Sequence, residues 1–168
     1  VSLTLVLGGA RSGKSRHAEE LIERLPGPWS YIATAQGYDD EMVERIALHR
    51  SRRGMSWQTL DAPHDVAGAL KGLPAGRPVL VDCLTLWLTN RMLAEADVEA
   101  ESAALAETLA AHDGPAVVVS NEVGLSIVPE NALARRFRDA QGRLNQMVAA
   151  RADEVIFMVA GLPMRVKG

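Results

Sequence analysis

Leu3-Thr4-Leu5-Val6-Leu7-Gly8-Gly9-Ala10-Arg11-Ser12-Gly13-Lys14-Ser15 decides how the rest of the chain is read. Its first half, Leu3 to Leu7, is an apolar run of strand length. Its second half completes the pattern G-x-x-x-x-G-K-[ST] over Gly8 to Ser15, and that spacing has a physical reason. Glycines let the backbone turn so sharply that successive N–H groups face a single anion. A helix opening at Lys14, with Ala18, Leu21, Ile22 and Leu25 at helical spacing, aims the positive end of its dipole at the same point. Lys14 is then placed to neutralise the β- and γ-phosphates of a nucleotide, and the Ser15 hydroxyl to ligate Mg²⁺. The blander alternative is a glycine-rich turn that only caps a helix. A strand directly before the motif and an amphipathic helix directly after it favour the phosphate loop.

Outward from this motif, short apolar runs alternate with longer amphipathic stretches. The first helix covers Lys14 to Leu25 and is stopped by Pro26-Gly27-Pro28. Trp29 to Ala33 is a strand. Asp39 to Arg53 is a helix with acids in its first turn and arginines in its last, as the helix dipole favours. Trp57 to Leu60 is a short strand, Pro63 to Leu70 a short helix and Val79 to Val81 a strand. Helices follow over Leu84 to Leu93 and Val98 to Ala111, and Ala116 to Val119 is a buried strand. A polar loop through Pro129 leads to a long helix, Ala132 to Ala150, and Glu154 to Val159 closes the series as a strand. Unbroken apolar strands alternating with helices predict an α/β fold of the P-loop NTPase type, a mostly parallel sheet with helices on both faces. Residues 1–168 have the length of one domain.

Open parallel sheets bind ligands outside the carboxyl ends of their strands. Four strand ends deliver polar residues there: Gly8 to Ser15, then Thr34, Gln36 and Asp39, then Asp82, then Ser120, Asn121 and Glu122. Asp82 suits an aspartate that holds Mg²⁺ directly or through water, and as the residue before a helix it also suits an N-cap. Glu122 reads equally as a second metal or base residue and as a solvated loop acid. On the helix after the second strand, Met42, Ile46, His49 and Arg53 form one stripe at 100° per residue, with Arg45 and Arg52 on its flank. A histidine on such a stripe is commonly a core residue. The crowd of Arg45, Arg50, Arg52 and Arg53 reads either as dipole compensation or as a clamp for a triphosphate. A neutral imidazole near its ordinary pKa of about 6.5 is a competent nucleophile that forms covalent intermediates. His17 lies in the first turns of the loop helix, His64 reads as a helix start and His112 as a helix end.

Composition excludes several classes. Lys and Arg number 18 against 21 Asp and Glu, a net charge of −3, which argues against nucleic acid as a partner held by non-specific phosphate contacts. Cys83 is the single cysteine, so no intrachain disulfide or cysteine-rich zinc cage forms, and a reducing, cytoplasmic setting is expected. No stretch reaches the ~20 apolar residues of a membrane span, and Val1 to Leu7 lacks the basic flank of a secretion signal.

Several blocks together resemble the bifunctional adenosylcobinamide kinase / adenosylcobinamide-phosphate guanylyltransferase family of cobalamin biosynthesis. They are Gly8 to Glu19, Tyr31 to Gln36, Asp39 to Met42, Arg45-Ile46, His49-Arg50 with Arg53 and Trp57, Ser120 to Gly124, Ile127 to Asn131, Arg135 to Asp139 and Gly142 to Gln146. The resemblance covers nearly the whole chain. It implies two reactions on one nucleotide-binding fold: γ-phosphoryl transfer from GTP or ATP to the aminopropanol arm of adenosylcobinamide, then guanylylation of a histidine and passage of GMP to the substrate phosphate. His49 matches the GMP-accepting histidine and Lys14 the loop lysine. Gly8, Gly9, Ala10, Arg11, Ser12, Gly13, Lys14, Ser15, Thr34, Ala35, Gln36, Arg50, Ser51, Arg52, Arg53, Asp61 and Asp82 match the nucleotide-contacting segments, with Ser15 and Asp82 for Mg²⁺. The family usually carries Glu at position 61, where this chain has the shorter Asp, and Asp or Glu at position 82. It also implies a homotrimer. Two rivals stand beside it: a plain small-molecule P-loop kinase in which His49 is structural, and a nucleotide-driven switch or assembly module. No N-K-x-D base-recognition run appears to support a guanine-specific switch.

Overall fold

The computed structural model describes residues 2–36 and 40–168, apart from the side chains of His49 and Arg52. The apolar runs form seven strands: β1 (Leu3–Gly8), β2 (Trp29–Ala33), β3 (Trp57–Asp61), β4 (Val79–Asp82), β5 (Ala116–Asn121), β6 (Glu154–Val159) and β7 (Leu162–Lys167). Between them lie α1 (Lys14–Glu23), α2 (Asp40–Arg52), α3 (Val66–Lys71), α4 (Leu84–Leu93), α5 (Val98–Ala111) and α6 (Ala132–Arg151). The strands join in one sheet of order β3-β2-β4-β5-β1-β6-β7, parallel throughout except for β6 with β7. This is the α/β architecture with a mostly parallel sheet that the alternation predicts.

Strands apolar at every position need cover on both faces, and the helices supply it. Leu3, Leu5, Ile32, Val79, Val81 and Val118 pack under α3, α4, α5 and α6. The alternate residues Val6, Tyr31, Leu80, Val119 and Ile156 pack under Ala18 and Ile22 of α1. Helix α2 is different: none of its described residues is buried, and Val43 and Leu48 are largely exposed. Asp65, Asp97 and Asn131 cap α3, α5 and α6, each side chain accepting from the N–H three residues on.

The boundaries depart from expectation in physically readable ways. Helix α3 begins at Val66 rather than Pro63 because Asp65 takes the cap position. Ser120 and Asn121 belong to β5, paired in register with Leu7 and Gly8, rather than to the loop after it. Asp39 lies outside the described residues. The element that the sequence reading lacks is β7, joined to β6 by a two-residue turn in which Ala160 and Gly161 have φ of 51° and 78°. Among the described residues no helix is long and apolar enough to cross a membrane.

Candidate active site

The loop after β1 is built around backbone conformations that few side chains permit. Gly13 has φ 91° and Arg11 φ 53°. A Cβ on Gly8 would stand 2.3 Å from the Ser12 hydroxyl oxygen, so glycine is what lets the loop fold back on the strand end. Two neighbours buttress it. The Gly161 N–H donates to the Ser12 carbonyl at 2.9 Å, and the Glu122 N–H donates to the Gly8 carbonyl at 3.0 Å. Lys14 Nζ donates to the Gly9 carbonyl at 2.9 Å, which lays its ammonium across the loop. Ala10 and Arg11 form the exposed rim, while Ser12 is buried with its hydroxyl unpartnered among the described residues.

Beside the loop lies a cleft of about 140 Å³ lined by Ser15, Tyr31, Ala33, Ala35, Asp82 and Leu86 from the α1 face of the sheet, and by Ile46, Arg50 and Arg53 from α2 and the residue after it. Register explains the grouping. Ala33 pairs with Asp82, and Tyr31 pairs with Leu80, so Tyr31, Ala33 and Asp82 all face the side of the sheet that α1 covers. The Tyr31 hydroxyl donates to Asp82 Oδ2 at 2.6 Å. Burial first, and then the negative charge of Asp82, push the Tyr31 phenol far above its ordinary pKa, so it remains a hydrogen-bond donor. Asp82 Oδ1 takes no hydrogen bond from a described residue. Asp82 is also not a helix cap: Cys83 holds that position in α4 and its side chain makes no capping bond.

Arg53 stacks on the Tyr31 ring. Its guanidinium carbon is 3.6 Å from the Tyr31 ring centroid, and Trp57 meets the same ring edge-on at 5.9 Å. Nη2 donates to Thr59 Oγ1 at 3.3 Å, whereas Nε and Nη1 are buried without a partner among the described residues. Arg50 pairs with the Asp61 carboxylate, which raises the guanidinium pKa further and keeps the cation fixed at the cleft wall. Ser51 donates to the Leu48 carbonyl at 2.8 Å and is exposed. His49 and Arg52 are α2 residues whose side chains lie outside the described ones.

Thr34 and Gln36, expected at the site, do not line this cleft. Thr34 is fully buried, and its hydroxyl donates to the Cys83 carbonyl at 2.7 Å while accepting the Cys83 N–H at 2.9 Å. Gln36 lies 2.9 Å from His64 Nε2, and Arg91 Nη1 lies 3.0 Å from His64 Nδ1. An arginine only donates, so His64 Nδ1 accepts from Arg91, while the Gln36 contact to Nε2 is made by its side-chain amide nitrogen. His64 is therefore a tie between the β2 end and α4 rather than a helix start. Glu122 accepts the Gly124 N–H at 2.6 Å in a local turn and does not line the cleft. His17 keeps a buried Nε2 with no partner among the described residues, and the His112 ring meets the Arg77 carbonyl at 2.8 Å. Ser120, Gln141 and Asn145 form a buried network that holds the β5 end against α6. Among the described residues no group of three or more His, Cys, Asp and Glu is placed to hold a metal by itself.

Sequence reading left out two residues that this geometry brings forward. Tyr31 was legible only as a strand residue, because its link to Asp82 spans 51 positions of chain. Gly161 supports the loop from the β6–β7 turn, and its one local signal is a glycine between two apolar runs.

A family model described as cobinamide kinase / cobinamide phosphate guanyltransferase matches residues 4–166. The bifunctional adenosylcobalamin biosynthesis protein CobP of Pseudomonas aeruginosa is 51% identical over 167 residues, covering 98% of this chain and 96% of that protein. The bifunctional adenosylcobalamin biosynthesis protein CobU of Salmonella typhimurium is 40% identical over 181 residues, covering 98% and 99%. Among solved structures, the flagellar accessory protein FlaH from Methanocaldococcus jannaschii aligns with a TM-score of 0.55 at 13% identity, over 99% of this chain and 78% of that one. That last likeness is one of fold.

Proposed function

Because the chain belongs to the cobinamide kinase / cobinamide phosphate guanyltransferase family, we propose that one domain carries both reactions. A nucleoside triphosphate phosphorylates adenosylcobinamide. GTP then gives its GMP, through a GMP–histidine on His49, to the substrate phosphate, yielding adenosylcobinamide-GDP. The observation that carries this reading is one cleft, beside the phosphate loop, lined at once by Ser15, Asp82, Arg50 and Arg53.

In the first reaction the acceptor hydroxyl attacks the γ-phosphorus as the bond to the bridging oxygen breaks and the diphosphate leaves. Lys14 exchanges the Gly9 carbonyl for phosphate oxygens, and the loop N–H groups share their charge. The protein's contribution there is positioning and electrostatics. In the second, the His49 imidazole displaces pyrophosphate from the α-phosphorus, and a substrate phosphate oxygen then displaces the histidine. His49 is an α2 residue that shares its sequence stripe with Ile46 and Arg53, which line the cleft, and with Met42, which does not. Arg50, Arg52 and Arg53 serve as the triphosphate clamp, with Asp61 orienting Arg50. Two attack points on one triphosphate call for two poses or a moving helix. The lack of any buried described residue on α2 makes its displacement inexpensive.

Mg²⁺ fits the donors present. A serine hydroxyl and one carboxylate with an oxygen to spare line the same cleft, and Mg²⁺ is typically held by one or two such oxygens plus substrate phosphates rather than by an all-protein cage. Ser15 and Asp82 would hold it. It would supply positive charge to offset the negative charge that develops on the phosphates. A cytoplasmic setting fits a single buried thiol, Cys83. A homotrimer follows the family resemblance.

Incubation with Mg²⁺ and GTP labelled at the α-phosphate, followed by denaturation, tests the reading. Acid-labile, alkali-stable label on the chain that disappears in His49→Ala is expected. Unlabelled protein that still binds nucleotide would reduce the activity to γ-transfer and make His49 structural.

A further inference from the structure

We propose that Tyr31 is a positioning residue for the metal–triphosphate complex, its hydroxyl setting the carboxylate of Asp82 and its ring setting the guanidinium of Arg53. This rests on the reading above that Asp82 holds Mg²⁺ and Arg53 the phosphates.

A buried tyrosine needs a partner for its hydroxyl, and any nearby carbonyl would serve. Tyr31 is 4% exposed, and its hydroxyl donates not to a carbonyl but, at 2.6 Å, to one oxygen of Asp82, among the described residues the only carboxylate lining the cleft. Such a bond fixes the carboxylate's rotation and leaves Oδ1 as the available donor atom, the role that outer partners play for metal ligands. The face of the same ring carries a guanidinium at 3.6 Å whose Nε and Nη1 have no partner among the described residues. Stacking holds a planar cation in place while occupying none of its N–H groups. Trp57, edge-on to Tyr31 at 5.9 Å and tied through its Nε1 to Glu23 at 3.1 Å, keeps the ring from tilting. A single strand residue thus orients a metal ligand and a phosphate ligand that arrive from different parts of the chain.

The two functions separate by substitution. Tyr31→Phe keeps the stacking ring and removes the hydroxyl, whereas Tyr31→Leu removes both. The affinity of a non-hydrolysable GTP analogue is measured calorimetrically with and without Mg²⁺ in the full chain, after thermal unfolding has shown each variant folded. In Tyr31→Phe the gain in affinity that Mg²⁺ confers falls by about tenfold, the range expected for loss of a metal ligand's outer partner, while the Mg²⁺-free affinity is unchanged. In Tyr31→Leu the Mg²⁺-free affinity falls as well. Asp82→Asn serves as the reference. If it leaves the Mg²⁺ gain intact, the metal assignment is wrong and the proposal goes with it. If it abolishes the gain and Tyr31→Phe does not reduce it, Asp82 stands and Tyr31 is only a packing residue. A Tyr31→Phe protein weakened equally with and without Mg²⁺ also overturns the proposal.

Discussion

Arg53→Met should separate stability from binding. In the nucleotide-free protein Arg53 contributes a stacked cation over Tyr31, worth about 0.5–2 kcal/mol, and one long hydrogen bond to Thr59 at 3.3 Å, worth at most about 1 kcal/mol. Against these stand two buried nitrogens with no partner among the described residues, Nε and Nη1, each costing about 1–3 kcal/mol. Methionine keeps a flexible apolar stem and a favourable sulfur contact over the ring while removing every orphaned donor. The two contacts supply about 0.5–3 kcal/mol and the two orphaned nitrogens cost about 2–6, so unfolding in urea, followed by tryptophan fluorescence, should show the variant no less stable than the parent and by central values about 2 kcal/mol more stable. With a triphosphate bound the orphaned donors acquire charged acceptors worth about 1.5–3 kcal/mol, so the same variant should bind Mg²⁺–GTP roughly ten- to hundredfold more weakly. A loss of more than about 2 kcal/mol in stability with unchanged nucleotide affinity would refute the reasoning and make Arg53 a structural cation.

Within the buried polar network, Asn145→Leu strips acceptors and donors from Ser120, Gln141 and the Asn121 carbonyl and should cost about 3 kcal/mol or more in urea unfolding. Gln141→Met removes a side chain whose Oε1 has no partner among the described residues and leaves Ser120 bonded to Asn145, so its cost should stay within about 1 kcal/mol. Equal costs for the two would contradict the network as described. Gly13→Ala places a side chain at φ 91° with its Cβ 3.3 Å from Gly161 Cα, and should lose about 1–2 kcal/mol of stability together with nucleotide binding; retention of both in calorimetry would count against the loop geometry. Burial, reinforced by the charge of Asp82, pushes the Cys83 thiol up to about 12. Native protein should therefore resist alkylation at pH 8 and react once unfolded. The raised value also means that this thiol's contribution to stability is whole below the unfolded pKa of about 8.5 and is lost as pH climbs toward 12, at up to about 1.4 kcal/mol per pH unit. Cys83→Ala should flatten that alkaline slope, and an unchanged slope would assign it to other groups.

How much was legible from sequence differs element by element. Leu84–Leu93, Val98–Ala111 and Glu154–Val159 have the expected bounds because their periodicity and flanking residues are local properties. The α1 helix stops at Glu23 rather than Leu25, where the chain turns toward Pro26-Gly27-Pro28. Strand β7 was invisible for two reasons: every one of its residues is exposed, so no burial pattern marks it, and Pro163 argues against a strand except at an edge, which is where it lies. Its turn uses Ala160 in the left-handed region, a residue type that gives no hairpin signal.

Sequence by itself determined the phosphate-loop pattern, the α/β class and the arrival of Ser15 and Asp82 at the carboxyl edge of the sheet. Each of these follows from short-range patterns: glycines where the backbone must turn, a dipole end after them, apolar runs that need cover on both faces. Only the tertiary structure decided which partners those residues take. The Tyr31–Asp82 bond, the stacking of Arg53, the Gln36–His64–Arg91 tie and the Gly161 buttress all depend on strand order and register. In a parallel sheet, neighbours in space are separated by a whole crossover of chain, so their pairing leaves no mark in any local window of sequence.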